Sequence, residues 1–216
     1  MNISYSYLTD KGLKRTENQD KITAHAGGGY ALFAVADGMG GHSDGQYASA
    51  EIIAGLDEWW FNSTQNKISG DFTSDVDSLR NCINAAHTRI SEYSKLKGII
   101  CGTTLSLLYI YDKKYIAMNI GDSPIITLNG KSKEQLSIEH NHSNILKKSG
   151  IIVDNGSQKL TQAVGVKELI YPNVRTGNVT DKQSFLICSD GISKYADYNR
   201  LFKLLKKLSI GKINVD

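Results

Sequence analysis

The sequence predicts an α+β fold in which helices pack on antiparallel β-sheets, and three observations support this class. Two long segments with helical spacing follow the first strand-like segments. Several further strand-like segments come after them, and short turns separate most of these. Tight turns join antiparallel strands, whereas a parallel sheet needs long crossovers. The pattern therefore does not fit a doubly wound parallel sheet.

The N-terminal part of the chain predicts three strands. Residues 2–8 alternate between apolar and polar side chains, which is typical of a strand with one buried face. Residues 21–26 and 30–36 are predicted to pair as a hairpin across three consecutive glycines. The continuous apolar run from Tyr30 to Ala36 indicates a strand buried on both faces.

Two helices are predicted next, and they are separated by a polar loop. Apolar residues recur at three- and four-residue spacing in residues 44–62 and again in residues 76–97. Residues 63–75 are rich in Ser, Thr, Asn and Gly, which is typical of a loop. Trp59 and Trp60 cannot lie on one helix face, so one of them is expected in the core.

The remaining segments predict short strands and two more helices. The predicted strands are 103–111, 114–120, 124–128, 134–138, 169–175 and 183–189. Asn129-Gly130 is a strong turn signal between two of them. A short helix over 143–149 is expected to end at Gly150, and a basic amphipathic helix covers about 197–208.

Length and composition favour one domain over residues 1–216 and exclude several classes of protein. The net charge of +3 is too small to indicate binding to nucleic acid or to a membrane. The apolar runs are shorter than the roughly 18 residues of a membrane span, and the N-terminus lacks a signal-peptide core. Three scattered cysteines give neither a disulfide framework nor a zinc motif, so a cytoplasmic protein is expected.

Acidic residues lie where three apolar strands end. Asp37, Asp122 and Asp190 follow such strands, and Asp20 precedes the second predicted strand. Carboxylates gathered from separate strands repel one another unless a cation lies between them. Their hard oxygen ligands favour Mg²⁺, Mn²⁺ or Ca²⁺ over zinc. A turn role is the alternative for each Asp-Gly pair, because both residues suit tight turns.

Two neighbouring features have alternative interpretations. Gly38 and the glycines that follow it permit a sharp turn, or let a backbone carbonyl approach a ligand closely. Arg15 is either an exposed surface side chain or a planar fork for phosphate oxygens. The loop has no nucleotide-binding fingerprint, because it lacks both the P-loop Lys-Ser/Thr and the GxGxxG pattern.

Six segments together resemble the metal-dependent protein phosphatases, the PPM or type 2C serine/threonine family, in its short bacterial form. They occur in the family's order and cover nearly the whole chain: TDKGLKRTENQD (9–20), FAVADGMGGH (33–42), CGTTLSLLYI (101–110), MNIGDS (118–123), LTQAVG (160–165) and LICSDG (186–191). The resemblance implies a sandwich of two antiparallel β-sheets flanked by antiparallel helix pairs. It also implies two Mn²⁺ or Mg²⁺ ions at one end of the sandwich, and a flap-like segment near 139–166.

The resemblance also implies a role for each matching residue. Asp37 would bridge both metals, Asp20 and the Gly38 carbonyl would complete the second metal's protein ligands, and Asp190 would bind the first. Asp122 matches the position linked to a third, weaker metal in bacterial members, and Arg15 matches the phosphate-binding arginine. Hydrolysis of protein phosphoserine and phosphothreonine by a metal-activated water is the implied reaction.

The chain departs from the family pattern in two places. Pro124 replaces the arginine that usually follows the GDS motif. A further metal-binding Asp usually opens the final strand; Asp216 is the only match to it, and Asp197 is an alternative that suits a helix start equally well. Either the chain is truncated at Asp216 or the last ligand and strand are missing.

Three histidines lie in or near the segments that resemble the family, and each has two interpretations. His42 either protonates the leaving oxygen or orders the metal loop. His140 and His142 are interpreted as surface-loop residues, with contact to substrate as the alternative. A phosphorylated protein substrate, a cognate serine/threonine kinase and a monomeric state are expected. Two other functions stay open: a non-catalytic or weakly active phosphatase-like signalling module, and a metal-dependent hydrolase of small phosphoesters.

Overall fold

The computed structural model describes residues 2–41, 44–65, 72–130, 132–148 and 159–209. Its strands are β1 Asp20–Gly27, β2 Tyr30–Met39, β3 Gly102–Thr103, β4 Leu105–Tyr111, β5 Lys114–Ile120, β6 Ile125–Asn129, β7 Ser132–Gln135, β8 Asn173–Asn178 and β9 Ser184–Ile187. Its helices are α1 Asp44–Gln65, α2 Phe72–Lys97, α3 His142–Lys148, α4 Asp190–Ser193 and α5 Tyr198–Ser209.

The strands form two antiparallel sheets. The larger sheet has the order β1-β2-β4-β5-β8, and β3 pairs with the end of β2. The smaller sheet has the order β7-β6-β9. The β1–β2 hairpin turns at Gly28 and Gly29, whose φ angles of +60° and +89° suit glycine. The predicted hairpin and the predicted antiparallel pairing are therefore confirmed.

Strand β2 lies between the helices and the smaller sheet; its helix-facing side chains are buried, and Phe33 and Val35 on the other face are half-buried. Leu32, Ala34 and Ala36 belong to the core cluster under the helices. Ala31 belongs to a second core cluster, which also contains Ile125 of the smaller sheet. Successive side chains of a strand point to opposite faces, so a strand between two layers must be apolar at nearly every position. This explains the continuous apolar run that ends at Asp37.

Helices α1 and α2 pack antiparallel against the larger sheet. The end of α1 contacts the start of α2, where the Trp59 indole N–H donates to Ser78 Oγ at 2.7 Å. The start of α1 contacts the end of α2, where Tyr47 stacks on Tyr93 with ring centroids 3.9 Å apart. Trp59 is buried, whereas Trp60 is half-buried and stacks on His25. One tryptophan is therefore in the core, as the spacing predicts.

Several predicted boundaries are wrong, and the N-terminal strand is absent. Residues 2–8 form no strand, although Tyr5 packs on Phe33 with ring centroids 5.2 Å apart. Alternation of side chains indicates a buried face but does not supply a hydrogen-bonding partner. A cavity of about 780 Å³ lies between residues 2–7 and β9, and β9 pairs with β6 on one side only. No acidic residue at a strand end lines this cavity.

Other elements shift by a few residues. Strands β7 and β8 replace the predicted 134–138 and 169–175, the helices α1 and α2 leave a shorter connection than the predicted loop, and α4 was not predicted. The predicted end of α3 at Gly150 lies outside the described residues. The amphipathic α5 packs on β6 and β9, which confirms an ordinary surface helix. Among the described residues, no helix has the length and apolar character needed to cross a membrane.

Candidate active site

The β1–β2 hairpin brings two of the predicted carboxylates together. Its register pairs Asp20 directly with Asp37, at the end of the hairpin away from the glycine turn. The two carboxyl groups are close enough to share a hydrogen bond. Two carboxylates at this distance cannot both carry a full negative charge without a large electrostatic cost.

Asp122 and Asp190 lie in the same cluster although they come from different strands. Burial, together with the negative charges of Asp20, Asp190 and Asp122 in that order, raises the pKa of Asp37 to about 8. Burial also raises the pKa of Asp122, with Asp190 as the next cause. Because the field of each carboxylate reaches the others, all four predicted strand-end aspartates belong to one site.

Two side chains that the sequence reading missed hold individual carboxylates in place. The Ser189 hydroxyl donates to Asp20 Oδ2 at 2.7 Å, across a separation of 169 residues. Lys194 Nζ lies 2.5 Å from Asp190 Oδ2, one turn further along the chain. Their positions in the sequence indicate a place near the site, since Ser189 precedes Asp190 directly and Lys194 follows it by four residues.

A network of hydroxyls supports the backbone of Asp37. The Asp37 N–H donates to Thr104 Oγ1 at 3.1 Å, and Thr104 Oγ1 lies 2.9 Å from Ser123 Oγ. The Thr103 hydroxyl donates to the Asp37 carbonyl at 3.0 Å. These groups are buried, so the strand tip is rigidly placed beside the turn that carries Asp122.

Gly38 occupies a position with no room for a side chain. A Cβ atom there would lie 2.2 Å from the Gly45 carbonyl oxygen and 2.7 Å from the Gln19 carbonyl oxygen. The Gly38 N–H donates to Gln19 at 3.2 Å, and the Ser49 hydroxyl donates to the same oxygen at 2.6 Å. Close backbone packing between the start of α1 and the end of β2 therefore requires glycine.

The donor set fits a hard divalent cation. The cluster supplies carboxylate oxygens and backbone carbonyl oxygen, and its carboxylates raise one another's pKa, which a cation would reverse. In the part of the chain that the structure describes, no three His, Cys, Asp or Glu side chains already stand at metal-binding spacing.

The other predicted site residues have different outcomes. Arg15 is exposed in the loop before β1, and its guanidinium makes no ion pair with any described residue. His42 and Asp216 lie outside the described residues, so their roles stay predictions. The Asp197 carboxylate accepts the Asn199 and Arg200 N–H groups at 2.9 and 3.2 Å, which confirms its helix-start interpretation.

His140 is not a free surface-loop residue, so that interpretation was wrong for it. It is half-buried, and its ring atom Nδ1 accepts a hydrogen bond from the Gly121 N–H at 3.2 Å. The backbone N–H of His140 donates to the Gly121 carbonyl at 2.9 Å. Gly121 has a φ of +100° and precedes Asp122 directly. His140 therefore holds the turn that carries Asp122. His142, by contrast, is exposed.

Comparison with known proteins identifies the family. The family model described as protein phosphatase 2C matches residues 13–210. The chain is 31% identical over 201 residues to the protein phosphatase PhpP of Streptococcus pneumoniae, covering 88% of this chain and 79% of that protein. It is 26% identical over 197 residues to the serine/threonine protein phosphatase PstP of Mycobacterium tuberculosis, covering 88% of this chain and 36% of that protein.

Solved structures agree with this match. PppA of Pseudomonas aeruginosa superposes with a TM-score of 0.81 at 28% identity, over 94% of this chain and 85% of that one. The catalytic domain of PstP in complex with two manganese ions superposes with a TM-score of 0.76 at 26% identity, over 91% and 82%. The α+β fold and the resemblance are thus confirmed, and this chain belongs to the protein phosphatase 2C family of metal-dependent serine/threonine phosphatases.

Proposed function

We propose that this phosphatase holds two divalent cations with Asp37, Asp20, the Gly38 carbonyl and Asp190. The observation that carries this proposal is the convergence of four half-buried carboxylates from separate strand ends, with the pKa of Asp37 raised by the charges of the other three. A structural ion-pair network would bring several cations to these carboxylates, whereas Lys194 is the one cation that an ion pair places beside them within the described residues.

The residues around the cluster have separate tasks in the reaction. When bound, two divalent cations activate a water for attack on phosphorus and neutralise the phosphoryl oxygens. Thr103 and Thr104 keep the Asp37 backbone in place, and Ser189 orients Asp20. Arg15 precedes Asp20 by five residues, and its exposed guanidinium is available to pair with two phosphate oxygens. His42 is proposed to protonate the leaving oxygen or to order the loop.

The donor chemistry, the relatives and the cysteines support a proposal for the metal, the partners and the compartment. The PstP complex with two manganese ions supports Mn²⁺, and hard oxygen donors also accept Mg²⁺. Relatives named as serine/threonine phosphatases support a phosphorylated protein as substrate and a serine/threonine kinase as its source. The free state of Cys82, Cys101 and Cys188 supports the cytoplasm. One domain over residues 1–216, with a flap near 139–166, stays a prediction.

The test is hydrolysis of phosphopeptides by the chelated protein before and after metal is added back. We expect release of phosphate from phosphoserine and phosphothreonine peptides with Mn²⁺, and far slower release from the matched phosphotyrosine peptide. Equal or faster turnover of small phosphoesters would instead favour a small-molecule hydrolase. No turnover of any substrate with either metal would favour the non-catalytic signalling module.

A further inference from the structure

Lys194 places a positive charge inside the acidic cluster. It lies at the C-terminal end of the short helix α4, and its Nζ is 2.5 Å from Asp190 Oδ2. Only about a third of either side chain is exposed, 32% for Lys194 and 38% for Asp190. An i,i+4 ion pair on an open surface contributes little to stability, but this pair lies beside the half-buried carboxylates of the cluster.

The ammonium group acts on more than one carboxylate. Besides Asp190, it interacts electrostatically with Asp122 and Asp37. Asp122 in turn lies near Asp190 and Glu139, both of which carry the same sign of charge. Lys194 therefore stands on the side of the cluster formed by Asp122 and Asp190, which we call the Asp122 corner.

A protonated lysine and a divalent cation compete for the same oxygens. The ammonium has three donors and no lone pair, so it satisfies carboxylate oxygens without being a ligand itself. A divalent cation that enters the Asp122 corner would be repelled by the Lys194 ammonium group and would have to displace that group from Asp190. The resemblance places a third, weaker metal at Asp122, and the donors at this corner are otherwise suited to one.

We propose that Lys194 serves as a tethered cation at the Asp122 corner and takes the place of a third metal ion there. This inference rests on the proposed two-metal centre and deepens it. The protein then binds two divalent ions with Asp37, Asp20, the Gly38 carbonyl and Asp190, and Lys194 supplies the positive charge at the Asp122 corner at every metal concentration. Arginine at the same position should serve similarly, whereas glutamine should open the corner to an added ion.

The test is Mn²⁺ binding to the metal-free protein, measured by titration calorimetry and by the electron paramagnetic resonance signal of free Mn²⁺. We expect two bound Mn²⁺ for the wild type and Lys194→Arg. Lys194→Gln should bind one further Mn²⁺ at least about tenfold more tightly than the wild type does, which corresponds to about 1.4 kcal/mol. Lys113→Gln is the matched control, because Lys113 lies in the β4–β5 turn at the opposite end of the sheet, and it should bind like the wild type.

The outcomes separate this inference from the metal centre itself. Two bound ions in the wild type with unchanged number and affinity in Lys194→Gln would overturn the role of Lys194 and leave the metal centre standing. A wild type that binds no Mn²⁺ would overturn both. A gain of affinity in Lys113→Gln equal to that in Lys194→Gln would also overturn it, since net charge alone would explain the gain. Melting curves in chelator establish that each variant is folded.

Discussion

Replacing Asp37 by Asn should stabilise the metal-free protein while it abolishes metal-dependent activity. The pKa of Asp37 is about 8 in the folded protein and near 3.8 for an isolated side chain. At pH 7 the folded protein must therefore protonate this group or tolerate its charge among three others. Asn keeps the size and most hydrogen bonds of the side chain but cannot carry the charge.

The magnitude follows from the two pKa values. Between pH 3.8 and pH 7 each pH unit lowers the free energy of unfolding by about 1.4 kcal/mol. The Asp37 carboxyl group therefore destabilises the metal-free protein by at most about 4 kcal/mol at pH 7. Because the charge is shared with Asp20 and the site is partly hydrated, we expect on the order of 2 kcal/mol. For a chain of this size that is an increase in Tm of about 4–8 °C.

The pH dependence has a definite sign. A carboxyl group with a raised pKa in the folded state takes up protons on folding, so the stability of the metal-free protein falls as pH rises from about 3.8 towards 8. Asp37→Asn should flatten this fall. The control is Asp181→Asn, because Asp181 is exposed in the turn before β9 and should change Tm very little.

The assay is thermal melting in EDTA and again with Mn²⁺, together with phosphopeptide turnover. Wild-type Tm should rise when Mn²⁺ is added, since an ion that binds only the folded state stabilises it, whereas Asp37→Asn should show little rise and little turnover. A lower Tm of Asp37→Asn in EDTA would refute the repulsion argument. A normal Mn²⁺-induced rise in the variant would refute the assignment of Asp37 as a bridging ligand.

Three further predictions concern the metal, the phosphate site and acid stability. Chelation with EDTA should remove phosphatase activity and added Mn²⁺ should restore it at least as well as Mg²⁺; full activity after exhaustive chelation would contradict the metal centre. Arg15→Ala should lower kcat/KM on a phosphopeptide by about 10–100-fold at unchanged Tm, because a charge-assisted pair contributes about 1.5–3 kcal/mol, and Arg15→Lys should recover part of it; unchanged kcat/KM would remove Arg15 from the site. His87 is buried, burial lowers its pKa, and its Nδ1 accepts the Gly165 N–H at 2.9 Å, so stability should fall as pH drops below about 6.5. His87→Asn should show a smaller fall in Tm between pH 7 and pH 5, and equal slopes for both proteins would exclude His87 as the cause.

The sequence alone determined the class of fold and the aspartates that form the cluster. Period-two and period-3.6 patterns locate strands and helices because burial of one face requires them, so the β1–β2 hairpin and helices α1 and α2 were predictable. Asp37, Asp122 and Asp190 were predictable because each stands where an apolar strand ends. The order of six short motifs then indicated the family.

The contacts that hold those residues in place form between distant parts of the chain and depend on the folded structure. The Ser189–Asp20 hydrogen bond joins residues 169 positions apart, and no local pattern encodes it. The same holds for His140 and Gly121, since a histidine in a polar loop has no sequence mark that distinguishes a hydrogen-bonded, half-buried ring from an exposed one. The alternating residues 2–8 show the converse: they satisfy a strand's side-chain pattern, but a strand also needs a neighbour's backbone, which only the assembled sheet provides.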